Sequence, residues 1–332
     1  MTTVRPARLL SECATSTTIG GRILGVGAAQ PAGSTSGAEV AARFGRTGEW
    51  IETRTGIRNL RLISGEERLI DLARTSTDAA ILASGVAADR IDLIIATSCT
   101  SRPGAEALGP QIAEYLGIGC PSFDLNAACS GFCYAVSTAD SMIRTGSVQH
   151  VLIVSAEHMS DLIDPGDLGT AIIFGDGAGA AVVGPGVAGE LGIGPVVWGS
   201  DGEQAPLIAF GDDDTDEFMR MQGRQVFRWA VESIPDIAVQ ACTRAGVLPA
   251  DIEVFVPHQA NLRIIDAVVR KVGLDHTVVA TDIVESGNTS SASIPIALTR
   301  LRDSGAAKSG QLALLVGFGA GLAFAAQVVR LP

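Results

Sequence analysis

Apolar residues in this chain form short unbroken runs rather than the alternating pattern of half-buried strands. Two such runs lie in matching surroundings, at 85–98 and 246–259, where a glycine ends a helix and an acidic turn leads into an apolar strand. Strands that are apolar throughout are typical of a sheet covered by helices on both faces. The pattern therefore predicts a layered α/β protein.

Three segments of the first half of the chain recur, in the same order, in the second half, and each recurrence is called an echo here. After the first pair of runs, Asp124-Leu125 is matched by Asp282-Ile283, each before a small-residue loop and an alanine-rich helix. The third echo sets Phe174 against Phe318, and each is expected to open a glycine hairpin between apolar strands. The echoes indicate a duplicated unit related by a pseudo-twofold, with the functional site where corresponding loops converge.

Composition narrows the class of protein. A chain that is 47% hydrophobic and 18% charged is not disordered, and a net charge of −12 argues against nucleic-acid binding through a basic surface. The uncharged stretch 312–329 is interrupted by three glycines, which favours two buried strands over a membrane span. Six cysteines lack the CxxC pairs of a zinc site. We expect a reduced, soluble, cytoplasmic protein without a metal.

Cys129 is the first candidate for chemistry. It lies where a strand end feeds a tight turn into the predicted helix Gly131–Arg144. There it would face the positive end of the helix dipole, which is expected to lower the pKa of the thiol and favour the nucleophilic thiolate. The alternative is a small buried residue, the usual situation of a free cysteine.

His258 and Asn288 are the candidates in the second half. His258 follows a predicted strand at 252–256 and opens a helix expected to begin near Gln259, at the rim where α/β proteins place reactive groups. Asn288 lies in another turn into a helix, and the second echo lays that turn over the Cys129 turn. A capping or hydrogen-bonding role is the alternative for both residues.

A cysteine, a histidine and an asparagine that converge at a helix terminus suit acyl transfer through a thioester. Cys129 would take the acyl group, while His258 and Asn288 would donate hydrogen bonds to one carbonyl and hold an enolate oxygen. Because asparagine takes up no proton, this set favours stabilising an enolate over activating an alcohol or water.

These residues resemble the motifs of β-ketoacyl-acyl-carrier-protein synthase III. The matching segments are Asn-Ala-Ala-Cys129-Ser-Gly-Phe, Val-Pro-His258-Gln-Ala-Asn-Leu-Arg, Gly-Asn288-Thr-Ser-Ser-Ala-Ser, the stretch 49–57, the stretch 174–179 and the ending 317–321. The resemblance extends in order from about Arg22 to Pro332.

The resemblance implies a thiolase-like fold, a five-layer αβαβα stack of two duplicated halves, and a homodimer. The halves would span 21–187 and 188–332, after a flexible extension at 1–20. Such enzymes load an acyl group from acyl-CoA onto the cysteine and condense it with malonyl-acyl carrier protein, releasing CO2 without a cofactor. The backbone N–H groups of Cys129 and Ala320 would form the oxyanion hole.

Substrate contacts are implied in the same way. Trp50 resembles the tryptophan that stacks on the CoA adenine, and Arg54 and Arg263 would reach CoA as well. The arginine common on the other side of the adenine is Leu168 here, and Arg224 is expected to replace it. The missing arginine favours an acyl-carrier-protein donor.

An acidic enzyme needs a basic patch to dock an acidic carrier protein. The resemblance places this patch on two helices near the site entrance, at Arg228, Arg263, Arg270 and Lys271. A solvated charged face is the alternative for the last two.

Two departures from the family bear on the acyl pocket. Gly104 stands where the family inserts a side chain across the dimer to limit the pocket, which also includes Phe318. The short acidic stretch 201–219 is expected to form a mobile lid. We therefore expect a starter larger than acetyl.

Three alternative functions remain to be weighed against condensation. A polyketide starter-unit acyltransferase usually alters the cysteine or asparagine motif, and both are intact. A thiolase needs a second cysteine near 317–321, where none is present. A non-catalytic partner subunit commonly loses the nucleophile, whereas Cys129 is retained.

Overall fold

A computed structural model describes residues 19–101, 106–210 and 218–332. Within them the chain forms fourteen strands and ten α-helices. The strands are β1 (Gly21–Ala29), β2 (Ser34–Ser36), β3 (Asn59–Arg61), β4 (Leu93–Thr97), β5 (Ser122–Leu125), β6 (Val151–Glu157), β7 (Gly177–Pro185), β8 (Val197–Ser200), β9 (Ile208–Phe210), β10 (Met219–Met221), β11 (Val254–Pro257), β12 (Val278–Val279), β13 (Leu312–Phe318) and β14 (Ala323–Arg330). The helices are α1 (Gly37–Ala42), α2 (Gly48–Thr55), α3 (Leu69–Ser84), α4 (Leu108–Leu116), α5 (Gly131–Arg144), α6 (Leu168–Ala171), α7 (Gly223–Ala245), α8 (Leu262–Val272), α9 (Ile283–Ser286) and α10 (Ser293–Asp303).

Two five-stranded sheets carry the duplication. Their orders are β1-β7-β6-β4-β5 and β8-β14-β13-β11-β12. Read in these directions, both sheets have two antiparallel pairings followed by two parallel pairings. The predicted duplicated α/β fold is confirmed. The first sheet draws its strands from residues 21–185 and the second from 197–330.

Five layers follow from the helix packing. Helices α3 and α4 cover the outer face of the first sheet, and α7 and α8 cover the outer face of the second. Helices α5 and α10 lie between the sheets, where a continuous apolar core includes Phe132, Ile153, Ile294 and Leu315. Because both faces of each sheet are covered, the strands can be apolar without alternation, as the sequence pattern indicated.

The local boundaries confirm some expectations and correct others. The helix predicted after Cys129 spans Gly131–Arg144, and the glycine hairpin after Phe318 joins β13 to β14. The hairpin expected at Phe174 is wrong, because residues 158–176 form a long connection between β6 and β7 that contains α6. Phe174 instead forms an isolated bridge with Asn288. This connection is long because it supplies part of the wall of the site described below.

Several expectations fall on residues that the structure does not describe or describes only in part. Residues 1–18 of the proposed N-terminal extension, Gly104, and residues 211–217 of the acidic stretch 201–219 lie outside the described residues. The flanks of that acidic stretch form the antiparallel pair β9 and β10. None of the described helices combines the length and the apolar character that a membrane span requires.

Candidate active site

A cavity of about 920 Å³ opens between the two halves of the molecule. Cys129, His258 and Asn288 all line it, although they lie far apart in the sequence. Cys129 comes from the first half and the other two come from the second. The structure therefore brings the three candidate residues to one cavity at the junction of the duplicated units.

A strained turn presents Cys129 to this cavity. Ala128 has a φ of +46°, in the left-handed region that side chains rarely adopt, and its N–H donates to Asn126 Oδ1 at 3.0 Å. The turn places Cys129 two residues before the start of α5, half-buried and lining the cavity. The turn thus exposes the sulfur at the start of a helix, as the sequence indicated.

The expected lowering of the Cys129 pKa is wrong for this arrangement. Burial raises the pKa of the thiol to about 12, and the negative Glu157 acts in the same direction. A hydrogen bond from Ser290 acts the other way. Although the sulfur faces the cavity, the protein around it is dense enough to disfavour a thiolate, so the resting nucleophile is a thiol.

The turn at Asn288 is the structural twin of the turn at Cys129. Ser290 has a φ of +49°, and its N–H donates to Asn288 Oδ1 at 2.9 Å, as Ala128 does to Asn126. The two turns contact each other, and Ser290 Oγ donates to Cys129 Sγ at 3.3 Å. Since Asn126 and Asn288 are equivalent, Ser291 is the counterpart of Cys129.

Asn288 is fixed by its backbone as well as by its side chain. Its N–H donates to the Ile173 carbonyl at 2.8 Å, and its carbonyl accepts from Gly175 N–H at 3.0 Å. Because the amide oxygen accepts from Ser290 N–H, the NH2 group is left as a donor. The long connection between β6 and β7 therefore positions Asn288.

His258 follows β11, which spans Val254–Pro257 rather than the predicted 252–256, and the next helix begins at Leu262 rather than near Gln259. The helix starts later because Asn261 is its N-cap. His258 N–H donates to the Val316 carbonyl at 2.7 Å, and Nδ1 lies 2.8 Å from Ser293 Oγ. The ring is 1% exposed.

Burial sets the charge of this histidine. It lowers the pKa of the His258 imidazole to about 3, because the low-dielectric surroundings disfavour the cation. The Phe318 ring lies edge-on to the imidazole, with the ring centroids 5.3 Å apart. At neutral pH His258 is therefore an uncharged ring held between Ser293 and Phe318.

A glycine permits the backbone approach beside the nucleophile. A Cβ added at Gly319 would lie 2.8 Å from both the backbone nitrogen and the Cβ of Cys129. The following residue, Ala320, lines the cavity. The end of β13 thus passes the Cys129 turn at a distance that no side chain allows.

The mouth of the cavity carries the residues expected to contact CoA. The Arg54 guanidinium stacks over the Trp50 ring, 4.1 Å from its centroid, and the Arg263 guanidinium lies 5.2 Å from the centroid of Phe227. Arg224 and Leu168 line the same cavity. The mouth is therefore cationic and aromatic, with an aliphatic residue at 168.

An apolar chamber forms another part of the cavity. Its buried members are Met159, Phe174 and Met219, and Cys99 packs against them. Phe318 lines the cavity next to His258 and belongs to a different core cluster. The chamber has the character of a pocket for a hydrocarbon chain.

The residues expected to dock a carrier protein lie on α7 and α8, which pack together. Arg228 pairs with Glu232 at 2.9 Å, and Lys271 Nζ donates to the Val231 carbonyl at 2.7 Å. Arg263 and Arg270 are exposed on α8. Of these cations, Arg263 lines the cavity.

Sequence reasoning missed four polar residues around the site: Cys99, Glu157, Ser290 and Ser293. Both serines lie in the Asn288 motif, so exact superposition of the two twin turns would have singled out Ser290. Cys99 lies just after β4 and Glu157 ends β6, and these two strands come together only in the folded sheet. Across the described ranges, no group of three or more His, Cys, Asp or Glu side chains is arranged to hold a metal ion.

Comparison with known proteins gives a consistent result. Residues 123–202 match the family model described as 3-oxoacyl-(acyl-carrier-protein) synthase III, and residues 242–331 match the model for its C terminal part. The first match contains Cys129, and the second contains His258 and Asn288.

Curated relatives cover nearly the whole chain. The chain is 42% identical over 315 residues to β-ketoacyl-(acyl-carrier-protein) synthase III 4 of Streptomyces coelicolor, covering 94% of this chain and 99% of the relative. It is 43% identical over 323 residues to a β-ketoacyl-(acyl-carrier-protein) synthase III of Mycobacteroides abscessus, covering 93% and 94%.

Solved structures agree. The priming β-ketosynthase of the R1128 polyketide biosynthetic pathway superposes with a TM-score of 0.91 at 40% identity, covering 100% of this chain and 99% of that one. A 3-oxoacyl-(acyl carrier protein) synthase III of Pseudomonas aeruginosa superposes with a TM-score of 0.88 at 35% identity, covering 94% and 98%.

The burial of His258 generates a prediction about its titration. Because its pKa is lowered to about 3, the ring stays neutral as the pH falls from about 8 to 5, a range in which an ordinary histidine gains a proton. NMR of protein with ¹³C-labelled histidine, assigned with a His258→Gln variant, should show a constant Cε1 shift for this ring. An inflection near the ordinary pKa of about 6.5 would contradict the prediction.

Proposed function

This chain belongs to the 3-oxoacyl-(acyl-carrier-protein) synthase III family, and on that premise we propose the course of its reaction and the residues that carry it out. It is a condensing acyltransferase of the type that initiates fatty acid or polyketide synthesis. The observation that carries the proposal is the convergence of Cys129, His258 and Asn288 on one cavity.

Acyl transfer to Cys129 is the first half-reaction. The sulfur attacks the carbonyl of an acyl-CoA thioester, and the CoA thiol leaves. The backbone N–H groups of Cys129 and Ala320 stabilise the tetrahedral oxyanion, a role that the close passage of Gly319 past the Cys129 backbone supports. The product is an acyl-enzyme whose hydrocarbon tail lies in the apolar chamber.

Decarboxylation of malonyl-acyl carrier protein is the second half-reaction. His258 and Asn288 donate hydrogen bonds to the thioester carbonyl as it becomes an enolate. Ser293 Oγ accepts from Gln259 N–H at 3.3 Å, so its own proton is available for His258 Nδ1. This arrangement favours the tautomer that carries its proton on Nε2, which can then donate to the enolate.

Carbon–carbon bond formation completes the cycle. The carbanion attacks the Cys129 thioester, the sulfur leaves, and a 3-oxoacyl-carrier protein is formed. Loss of CO2 drives the condensation, so the proposed reaction uses no metal or redox cofactor. A neutral His258 suits this chemistry, since it donates a hydrogen bond without having to release a proton.

The acyl donor is proposed to reach Cys129 past the cationic mouth. Arg54, Arg224 and Arg263 line it, and their charges suit the phosphates of CoA or of a phosphopantetheine arm. The aliphatic Leu168 offers no cation to the adenine, which leaves Trp50 with Arg54 as the stacking partners. We propose that acyl-CoA and acyl-carrier protein both serve as donors.

The carrier protein is proposed to dock on α7 and α8. Arg228, Arg263, Arg270 and Lys271 are exposed cations on these two packed helices, and Arg263 also lines the cavity. Such a patch complements an acidic partner despite the net charge of −12 of the whole chain.

We propose that the protein is a cytoplasmic homodimer. Strand β5 forms an edge of the first sheet, and Phe123 on that strand is 38% exposed. An open edge with an exposed aromatic ring suits pairing with a second copy. The described cysteines are free thiols, which suits a reducing compartment.

Covalent loading is the decisive test of this function. Incubation with acyl-CoA or with acyl-carrier protein should add the acyl mass to the protein, and peptide mapping should locate it on Cys129. Cys129→Ala should abolish the adduct, whereas Cys120→Ala, a change at another partly buried cysteine outside the cavity, should not. Failure of the unaltered protein to load any acyl group would refute the proposal. A loaded protein that forms no 3-oxoacyl product with malonyl-carrier protein would be an acyltransferase instead.

The oxyanion hole can be tested at Gly319. The added methyl group of Gly319→Ala would push against the Cys129 backbone, so acylation of Cys129 should slow by about 100-fold or more. Gly119→Ala is the matched control, because a methyl group there meets no atom within 4 Å. Acylation at the unaltered rate in the Gly319 variant would contradict the assignment.

The apolar chamber predicts which starter acyl group the enzyme prefers. Its apolar walls favour medium, longer or branched acyl groups over acetyl. Steady-state assays with a series of acyl-CoA thioesters should give a kcat/KM at least about 10-fold higher for the preferred longer chain than for acetyl-CoA. A strict preference for acetyl-CoA would contradict this.

A further inference from the structure

A buried carboxylate lies beneath the nucleophile and has no role in the steps above. Glu157 is the last residue of β6 and is fully buried. Its Oε1 accepts from Ser291 Oγ at 2.5 Å, and its Oε2 accepts from the Cys99 N–H at 3.0 Å and from Ser98 Oγ at 3.2 Å. These donors are all uncharged. A buried carboxylate without a cationic partner is costly to keep ionised, and hydrogen bonds from neutral donors offset only part of that cost.

A chain of hydrogen-bonding atoms connects this carboxylate to the reactive sulfur. Cys99 Sγ lies 3.6 Å from Glu157 Oε2 and 3.2 Å from Ser290 Oγ. Ser290 Oγ in turn donates to Cys129 Sγ at 3.3 Å, and when its hydroxyl turns to donate to Cys99 instead, the oxygen can accept the Cys129 proton. Every link is within hydrogen-bonding distance for the atoms concerned, including the longer contacts of sulfur.

The nucleophile needs such a connection. Burial raises the pKa of the Cys129 thiol to about 12, so few molecules hold a thiolate at neutral pH. His258 is a poor proton acceptor there, because its pKa is lowered to about 3. Burial also raises the pKa of Glu157, so this carboxylate accepts a proton more readily than an exposed one.

We propose that Glu157 accepts the Cys129 proton through Ser290 and Cys99 during acylation and returns it during condensation. The inference rests on the proposed function, in which Cys129 is acylated. Ser290 touches the reacting sulfur, whereas Cys99 and Glu157 are positioning residues that act through it.

The proton and electron movements balance. As the Cys129 sulfur uses its electron pair to attack the thioester, its proton passes to Ser290 Oγ, the Ser290 proton passes to Cys99 Sγ, and the Cys99 proton passes to Glu157 Oε2. The CoA thiolate leaves and takes a proton from solvent. When condensation expels the Cys129 thiolate, the same chain runs in reverse and Glu157 regains its charge. Glu157 is thus neutral while the acyl chain occupies the chamber.

Other titratable groups near Glu157 are few and already engaged. His158 follows it in the chain, 4.0 Å from the buried Asp176, which accepts from Ser160 and from Ile63 N–H. Strands β4 and β7 and the turn 290–292 contain no ionisable residue. On the adjacent helix α3, the charged side chains are Asp71, Arg74 and Asp78; Asp71 pairs with Arg68 and Arg74, and Asp78 accepts from Tyr115. On α5, the charged or titratable side chains are Cys133, Tyr134 and the ion pair of Asp140 with Arg144.

The test compares two substitutions at Cys99. Cys99→Ala removes the link, whereas Cys99→Ser keeps a group that can pass a proton. Single-turnover acylation by acyl-CoA, followed by rapid quench and intact mass, is measured as a function of pH. At neutral pH the Ala variant should acylate about 100-fold more slowly, and its rate should rise with pH toward that of the unaltered enzyme. The Ser variant should stay within about threefold of the unaltered enzyme, because its hydroxyl restores the chain.

Controls separate the relay from packing and from the proposed function. Cys120→Ala, a change at a partly buried cysteine outside the cavity, should acylate at the unaltered rate. An Ala variant with the unaltered rate and pH profile, or a Ser variant as slow as the Ala variant, would overturn the relay. Neither result would touch the proposed function, which is tested separately on the unaltered protein by the loading of Cys129 and the formation of the 3-oxoacyl product.

Glu157→Gln provides a second, independent variant. Glutamine keeps the shape of the side chain but cannot take up the proton, so acylation should slow as in Cys99→Ala. A Gln variant that melts like the unaltered enzyme and acylates at its rate would also overturn the relay. If the Gln variant does not fold, the Cys99 pair decides the question.

Discussion

The site depends on the contact between two strained turns at the junction of the halves. Ala128 and Ser290 both hold left-handed backbones, and each turn is closed by an asparagine side chain. The contact brings Ser290 Oγ to 3.3 Å from Cys129 Sγ, and Gly319 is the residue that lets the end of β13 pass behind the sulfur. Because the backbone fixes these positions, a shift of a few tenths of an ångström in either turn would change the position of the Cys129 sulfur.

Duplication provides two equivalent turns, and the chain uses them differently. The Cys129 turn carries the nucleophile, whereas its twin carries a donor, Asn288, and places Ser291 where the first turn has the cysteine. Ser291 binds Glu157 from the opposite half, at 2.5 Å. The pseudo-symmetric junction therefore combines a reactive turn with one that supplies hydrogen bonds to it and to the carboxylate below it.

Local features of the fold could be predicted from the sequence, and features set by distant packing could not. The helix Gly131–Arg144 and the hairpin after Phe318 depend on neighbouring residues, and both were predicted correctly. The prediction of a hairpin at Phe174 was wrong because Phe174 pairs with the distant Asn288 instead. The prediction of a lowered Cys129 pKa was wrong because the sequence shows the helix that follows the cysteine but not the protein that encloses it. Cys99 and Glu157 went unnoticed because no local pattern links them.

The same burial has opposite effects on the two halves of the reaction. A low-dielectric site strengthens the hydrogen bonds that His258 and Asn288 offer to an enolate, since fewer water dipoles compete with them. It also keeps His258 neutral and Cys129 protonated, so the surroundings that favour decarboxylation disfavour the thiolate. In the proposed relay the proton acceptor is the buried Glu157, which is connected to the Cys129 sulfur through Cys99 and Ser290.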